Sequence, residues 1–183
     1  MKISRKLIGC CLILATILSG MTLLHVAAQS ATMTSQQIEL IRSNCVSTKN
    51  TLSQLHASDA LLRVNRGQIY ESMSTKLMER FNIRIANNGY SNISLVAITK
   101  SYGQMLDNFR LNYKTYEEQL VLALDINCSN QPVAFYDAVA LARTKRDQVH
   151  ADVIELGKII DQYQLGVNQF ENDYKVVMNK VNQ

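Results

Sequence analysis

A strict alternation of three- and four-residue steps runs from Val139 almost to the end of the chain. It passes through Ala142, Arg146, Val149, Val153, Leu156, Ile160, Tyr163, Val167, Phe170, Tyr174 and Val177 to Val181, and twelve of these thirteen positions are apolar or aromatic. A seam of 3.5-residue period over six heptads requires a helix that faces a partner along its length. The polar residues between, including Asp147, Asp152, Lys158, Asp161 and Asn168, are expected on the opposite, solvent-facing side. Pro132 opens the segment at a first-turn position, where its missing N–H costs nothing. The helix is therefore expected over 132–180, about 70 Å at 1.5 Å per residue.

Two further helical segments precede it. Over 34–87 there is no proline and one internal glycine, Gly67. Thr34-Ser35-Gln36-Gln37 has the pattern of a capping box, and Asn87-Asn88-Gly89 is a helix stop in which Gly89 takes the left-handed conformation. The apolar stripe of this segment is Ile38, Ile41, Cys45, Leu52 and Leu55, then Leu62, Ile69, Met73, Leu77, Phe81 and Ile85. Polar residues interrupt it between Asp59 and Gln68, so one long helix and two collinear helices both stay open. Ser91 or Asn92 caps a second helix over 92–126, whose broader stripe (Leu95, Ile98, Tyr102, Met105, Leu106, Phe109, Tyr113, Tyr116, Leu120, Leu124) suits contact with two neighbours. The expected fold is all-α: an elongated three-helix antiparallel (up-down-up), coiled-coil-like bundle.

The 183 residues carry a formal charge of +4, with 19 Lys and Arg against 15 Asp and Glu. Lys2, Arg5 and Lys6 sit in the first thirty residues with no acid, which leaves sixteen bases against fifteen acids elsewhere. An apolar run from Leu7 to Val26 follows these charges and ends at Val26-Ala27-Ala28 before Gln29, the form of a signal peptide cleaved after Ala28. The expected organisation is a signal peptide over 1–28 and a single helical domain over 29–183. The run is also long enough to serve as an uncleaved membrane anchor. Leu7-Ile8-Gly9-Cys10 resembles a lipoprotein box but precedes the hydrophobic run that such a signal needs ahead of its cysteine. Cys45 and Cys128 then form an even pair in an exported chain, which reads as one disulfide.

That bridge also sets a register. If the first two helices turn tightly between Asn87 and Asn92, Cys128 misses the level of Cys45 by about six residues, or about 9 Å. Loop residues that extend by more than about 3 Å each close the gap. Carried forward, the register brings Arg146, the one charged residue in the long seam, near residue 63 and near Tyr116 and Glu117. A polar layer of Asp59, Glu117 and Arg146 is expected to set register; the alternative is that Arg146 snorkels along its aliphatic stem to water.

Other chemistry finds little support. His56 and His150 lack a second ligand at a recognised metal spacing. There is no Gly-x-Ser-x-Gly elbow, phosphate loop or free-thiol Cys/His arrangement. Glu117 and Glu118 are adjacent on a helix and point apart. No catalytic residue, metal or cofactor is expected. Basic residues form no stripe, so no nucleic acid is expected either. Residues 34–89 hold seven bases and four acids and 91–183 hold nine and eleven, a contrast that complementarity inside the bundle accounts for.

Leu61-Leu62-Arg63-Val64-Asn65-Arg66-Gly67-Gln68-Ile69-Tyr70-Glu71, together with Phe135-Tyr136-Asp137-Ala138-Val139-Ala140-Leu141-Ala142-Arg143, resembles uncharacterised exported helical proteins of small-genome candidate-phylum bacteria. The resemblance covers nearly the whole chain after the leader. It implies a bacterial origin and a coiled-coil bundle, and it carries over no activity and no functional residue. The expectation is a non-enzymatic exported structural or interaction protein of the cell envelope. Its partners would be other proteins or further copies of itself, and it would touch membrane only through an uncleaved leader. A periplasmic-type holdase chaperone and a membrane-anchored envelope component are the alternatives.

Overall fold

The computed structural model describes residues 33–181, and among these every regular element is helical. The elements are α1 (Ser35–Ser43), α2 (Cys45–Ser72), a π-helical segment (Met73–Met78), α3 (Glu79–Asn87), α4 (Ile93–Asp125) and α5 (Pro132–Val181). The leader, with its expected cleavage site after Ala28, lies outside the described residues. Among those described, no helix is long and apolar enough to cross a membrane.

Local chemistry accounts for most element ends. Thr34 and Gln37 form the capping box: the Gln37 N–H donates to Thr34 Oγ1 at 3.2 Å and the Thr34 N–H donates to Gln37 Oε1 at 2.8 Å. At the end of α3 the Tyr90 N–H reaches Ile85 O at 3.2 Å and the Gly89 N–H reaches Ala86 O at 2.9 Å, with Gly89 at φ +76°. This is a Schellman stop, which needs a left-handed residue. Asn92 precedes α4 without capping it by its side chain; its amide instead donates to Asn82 O at 2.7 Å. In the loop before α5, Asn127 Oδ1 accepts from the N–H groups of Ser129 and Asn130, both at 3.1 Å.

The polar stretch over 59–68 does not break the helix, and α2 runs through it. The departures lie on either side. Asn44 separates α1 from α2, and its side chain competes for Leu40 O at 2.9 Å. Farther on, the Glu79 N–H bonds to Ser74 O, five residues back, in the π-helical segment. Around that segment, and before it where Asp59 takes the inward place, the buried face differs from the stripe expected from sequence. Tyr70, Ser74, Met78 and Asn82 are buried at successive steps of four. In an α-helix each such step rotates the row by about 40°, and a wider turn removes this drift. Leu62, Ile69 and Leu77, expected in the core, are each at least half exposed.

Core side chains form three groups along the bundle. Cys45, Cys128 and Phe135 pack at one end, with Ile41, Leu52 and Val139 against them. Tyr113, Tyr116, Leu120 and Ala142 follow. The largest group includes Tyr70, Met78, Ile85, Leu95, Tyr102, Leu106, Phe109, Leu156 and Tyr163. The stripe read from α4 is the one found: its members are buried or half-buried throughout. The α5 seam is buried or half-buried from Val139 to Phe170, except at Arg146, and opens at Tyr174 and Val177, where Tyr174 still packs edge-on against Tyr90. Asp152 departs from its expected solvent position. It is 4% exposed and accepts from Asn112 Nδ2 at 2.8 Å and Gln148 Nε2 at 3.2 Å. The contact face of α5 is broader than a strict seam, because Ile159 is buried beside Leu156 and Gly166 meets Leu95.

Two glycines of α5 separate packing from backbone entropy. A Cβ at Gly157 would meet nothing within 4 Å, whereas one at Gly166 would lie 2.8 Å from Cδ2 of the fully buried Leu95. Urea unfolding should show Gly157→Ala more stable by about 0.5–1 kcal/mol, the ordinary helix-interior gain. Gly166→Ala should forfeit that gain and lose about 1 kcal/mol or more through overpacking.

Candidate functional site

Near the middle of the bundle, three helices meet at a buried carboxylate. Asp59 of α2 is 7% exposed. Arg146 of α5 holds it with two bonds, Nε to Oδ2 at 2.8 Å and Nη2 to Oδ1 at 3.2 Å. The Tyr116 hydroxyl of α4 donates to the same Oδ2 at 2.7 Å. Asp59 can reach both partners because it lies on the inward row of α2, seven residues after Leu52 and fourteen after Cys45. Tyr116 belongs to the buried α4 stripe, and Arg146 to the α5 seam.

Glu117, expected in this layer, does not bind Arg146. One residue on from Tyr116 it is turned by about 100° around the helix and lies on the flank, with its carboxylate 3.6 Å from Arg63 Nη1 and 3.8 Å from His56 Nε2. The Arg63 guanidinium also sits 5.0 Å from the centre of the Tyr113 ring, a cation–π distance. The layer thus has an inner set of Asp59, Tyr116 and Arg146, and an outer set of Arg63, Glu117 and His56. Within it, His56 Nε2 and the Tyr113 hydroxyl are shielded from solvent and lack a hydrogen-bond partner.

The electrostatics favour fixed charge states. Burial pushes the Asp59 carboxyl upward, but the hydrogen bonds from Arg146 and Tyr116 and the positive charge beside it outweigh burial and hold it below the ordinary carboxylate value. Burial and the bond to Asp59 raise the Tyr116 hydroxyl, and burial followed by the charges of Glu117 and Asp59 pushes Tyr113 up to about 12. An anchored carboxylate with a lowered pKa is a poor base, and a tyrosine with a raised pKa is a poor acid. What the arrangement does well is hold three helices together. Arg146 is half exposed, so solvent screens its charge, while Asp59 has no alternative partner besides Tyr116.

A second polar layer, not expected from sequence, lies toward the Gly89 turn. Asn82 Nδ2 donates to Thr99 Oγ1 at 2.8 Å, and the Tyr163 hydroxyl approaches Asn82 Oδ1 at 2.8 Å and Met78 O at 3.1 Å. The Tyr102 hydroxyl donates to Tyr70 O at 3.2 Å. These tyrosines bond to carbonyls at the edges of the π-helical segment. The available signal was tyrosine itself in a core stripe, since a buried hydroxyl demands a partner.

At the end of the bundle, Cys45 and Cys128 are disulfide-bonded with Cα atoms 5.5 Å apart, closing a sequence separation of 83 residues. On the chain-entropy account such a link contributes about 4 kcal/mol. Lys49 Nζ donates to Ile126 O at 3.3 Å beside it. No group of three or more His, Cys, Asp or Glu side chains positioned for a metal occurs among the described residues.

Compared with protein families, with curated proteins and with solved structures, the chain matches none.

The lowered Asp59 carboxyl makes stability depend on pH in a defined direction. The unfolded carboxyl titrates near its ordinary value, about 3.9, and the folded one below it. Its contribution is therefore complete above about pH 5 and lost as pH falls through that value and then through the folded one. Thermal melts of wild type and Asp59→Asn should differ most near pH 7, with the variant lower, and converge toward pH 2. A constant difference across that range would show that the carboxylate charge is irrelevant.

Proposed function

We propose that this chain is an exported, non-enzymatic structural or interaction protein of the cell envelope, built as an up-down-up three-helix bundle after a leader over 1–28. The order of contacts supports this arrangement. Leu95, Asn112 and Gln119 of α4 meet Gly166, Asp152 and Ala138 of α5, a descending order. Arg146, Tyr163 and Phe170 of α5 meet Asp59, Met78 and Phe81, an ascending order. Export is supported by the positive, apolar leader and by a disulfide that uses both cysteines of the following chain, since such links persist in oxidising compartments.

The observation that carries an interaction role is the apolar surface of α2. Leu61, Leu62, Val64 and Ile69 are each more than half exposed within a little over two turns. Apolar residues so close together on a surface helix favour contact with another protein. Exposed Val176 and Val177 at the end of α5 favour the holdase reading as a second possibility, in which helical arms grip unfolded clients. The bacterial origin implied by the sequence resemblance belongs to the same proposal.

Expression of the full chain in a bacterium, with a photocrosslinking residue at position 61 or 64, tests the reading. The expected result is a chain in the extracytoplasmic fraction beginning at Gln29. It should also give one discrete crosslink that Ile69→Glu removes without loss of helicity. A leader retained on the membrane-bound chain would favour the anchored alternative, and a smear of crosslinks to many unfolded clients the holdase. A cytoplasmic chain with reduced cysteines and no crosslink would overturn the proposal.

A further inference from the structure

At the end of the bundle that carries the Gly89 turn, α3 and α4 share an outer face. Asn82 of α3 donates to Thr99 of α4 and accepts at its carbonyl from the Asn92 amide, so these residues mark the seam between the two helices. The helices run antiparallel: Tyr102 reaches Tyr70 O, while Thr99, three residues earlier, meets Asn82. The next residue on each, Ile83 and Lys100, is turned about 100° farther round its helix, and in an antiparallel pair both turns lead to the same side. Arg80, three residues before Ile83, shares that side, as do Val96 and Ile93, four and seven before Lys100. Phe81 leaves Asn82 in the other direction and packs edge-on against Phe170, so α5 covers the opposite side.

This face combines free positive charge with exposed aliphatic side chains. Ile83 and Ile93 are more than half exposed and Val96 nearly half. Between Lys76 and Leu106 the chain holds four bases (Lys76, Arg80, Arg84 and Lys100) against one acid, Glu79. None of the four bases is in an ion pair among the described residues. Glu79 accepts from Ser74 Oγ at 3.4 Å, and the nearest acids beyond, Glu71 and Asp107, are both held by Arg110. With those acids and Arg110 counted, five bases stand against three acids, a surplus of two. The acids of α5 at this end, Asp161, Glu171 and Asp173, belong to the helix on the opposite side.

From this juxtaposition we infer that the outer face of α3 and the start of α4 is a docking surface for an anionic phospholipid bilayer. Arg80, Lys100 and Lys76 bind lipid phosphates, while Ile83, Ile93 and Val96 enter the boundary between headgroups and acyl chains. Charge alone would suit any anionic partner. Three β-branched aliphatic side chains set among the bases call for an apolar phase behind the anions, which a bilayer supplies. The contact involves neither the leader nor the exposed residues of α2.

The chain contains no tryptophan, so Ile83→Trp places a single fluorescent reporter on the face, with Ile154→Trp at an exposed position of α5 as its control. Phosphatidylglycerol vesicles should shift the Ile83→Trp emission to the blue and leave Ile154→Trp unchanged. Phosphatidylcholine vesicles should shift neither. Co-sedimentation with the phosphatidylglycerol vesicles should weaken by about fivefold for each base removed in Arg80→Gln and Lys100→Gln. Arg143→Gln with Lys145→Gln, which lowers the net charge equally on α5, should leave it unchanged, and circular dichroism checks the fold of each variant. All variants share one N-terminus, so the leader is common to every comparison. An Ile83→Trp emission that phosphatidylglycerol does not move, an equal shift with phosphatidylcholine, or equal losses from the Arg143 and Lys145 substitutions would each overturn the inference. So would a single-stranded oligonucleotide that binds as tightly as the vesicles, because the face would then read phosphate charge alone.

Discussion

The carboxylate of Asp59 is the point at which three helices must agree. Once buried among Tyr113, Tyr116 and α5, it has to be paired, because an uncompensated charge in that position costs several kcal/mol. Its partners come one from α4 and one from α5, and both bonds to Oδ2 are under 3 Å. Sliding α2 by one turn would move Asp59 by about 5.4 Å and break both. Leucine in the same place would tolerate such a slip much better. The layer therefore supplies specificity of alignment more than raw stability.

The disulfide and the hydroxyl layers extend that alignment along the bundle. Cys45 and Cys128 hold one end, so that Asp59, fourteen residues farther along α2, is delivered about 21 Å from the link. Beyond it, α2 cannot simply continue as an α-helix and keep Tyr70, Ser74, Met78 and Asn82 facing inward. The π-helical segment absorbs the mismatch, and Tyr102 and Tyr163 bond to carbonyls at its edges. Aromatic packing of Tyr90 with Phe170 and Tyr174 closes the far end. The exposed stretch of α2 over 61–69 lies between these constraints.

Much of this was legible in the residues. The stripe on α4, the α5 helix from Pro132, the capping box at Thr34, the left-handed Gly89 and the pairing of Cys45 with Cys128 each rest on local chemistry or on a strong period. So did the meeting of Asp59 and Arg146, which followed from the disulfide register. Glu117 was the natural acid to add by charge alone, yet Tyr116 occupies the inward position and Glu117 the flank. The inward face of the first segment was only partly legible, because the π-turn, which has no composition of its own, shifts the period around 73–78 and Asp59 instead of Leu62 takes the inward place before it. Asp152 was assigned to solvent because a strict heptad seam excludes it, whereas the real contact face of α5 is wider and includes Asp152, which Asn112 of α4 meets.

Together these features describe a helical body held in one alignment by a covalent link and by an ion pair between α2 and α5 that Tyr116 joins to α4, with an apolar surface on the helix that those links position. The most direct test is a double-mutant cycle on Asp59→Ala and Arg146→Ala, read by urea unfolding at pH 7. A coupling energy of about 1–3 kcal/mol between the two sites is predicted, with the double variant more stable than the sum of the single losses implies. Losses that add within about 0.5 kcal/mol would contradict the account, because they would show that α2 keeps its place without the pair.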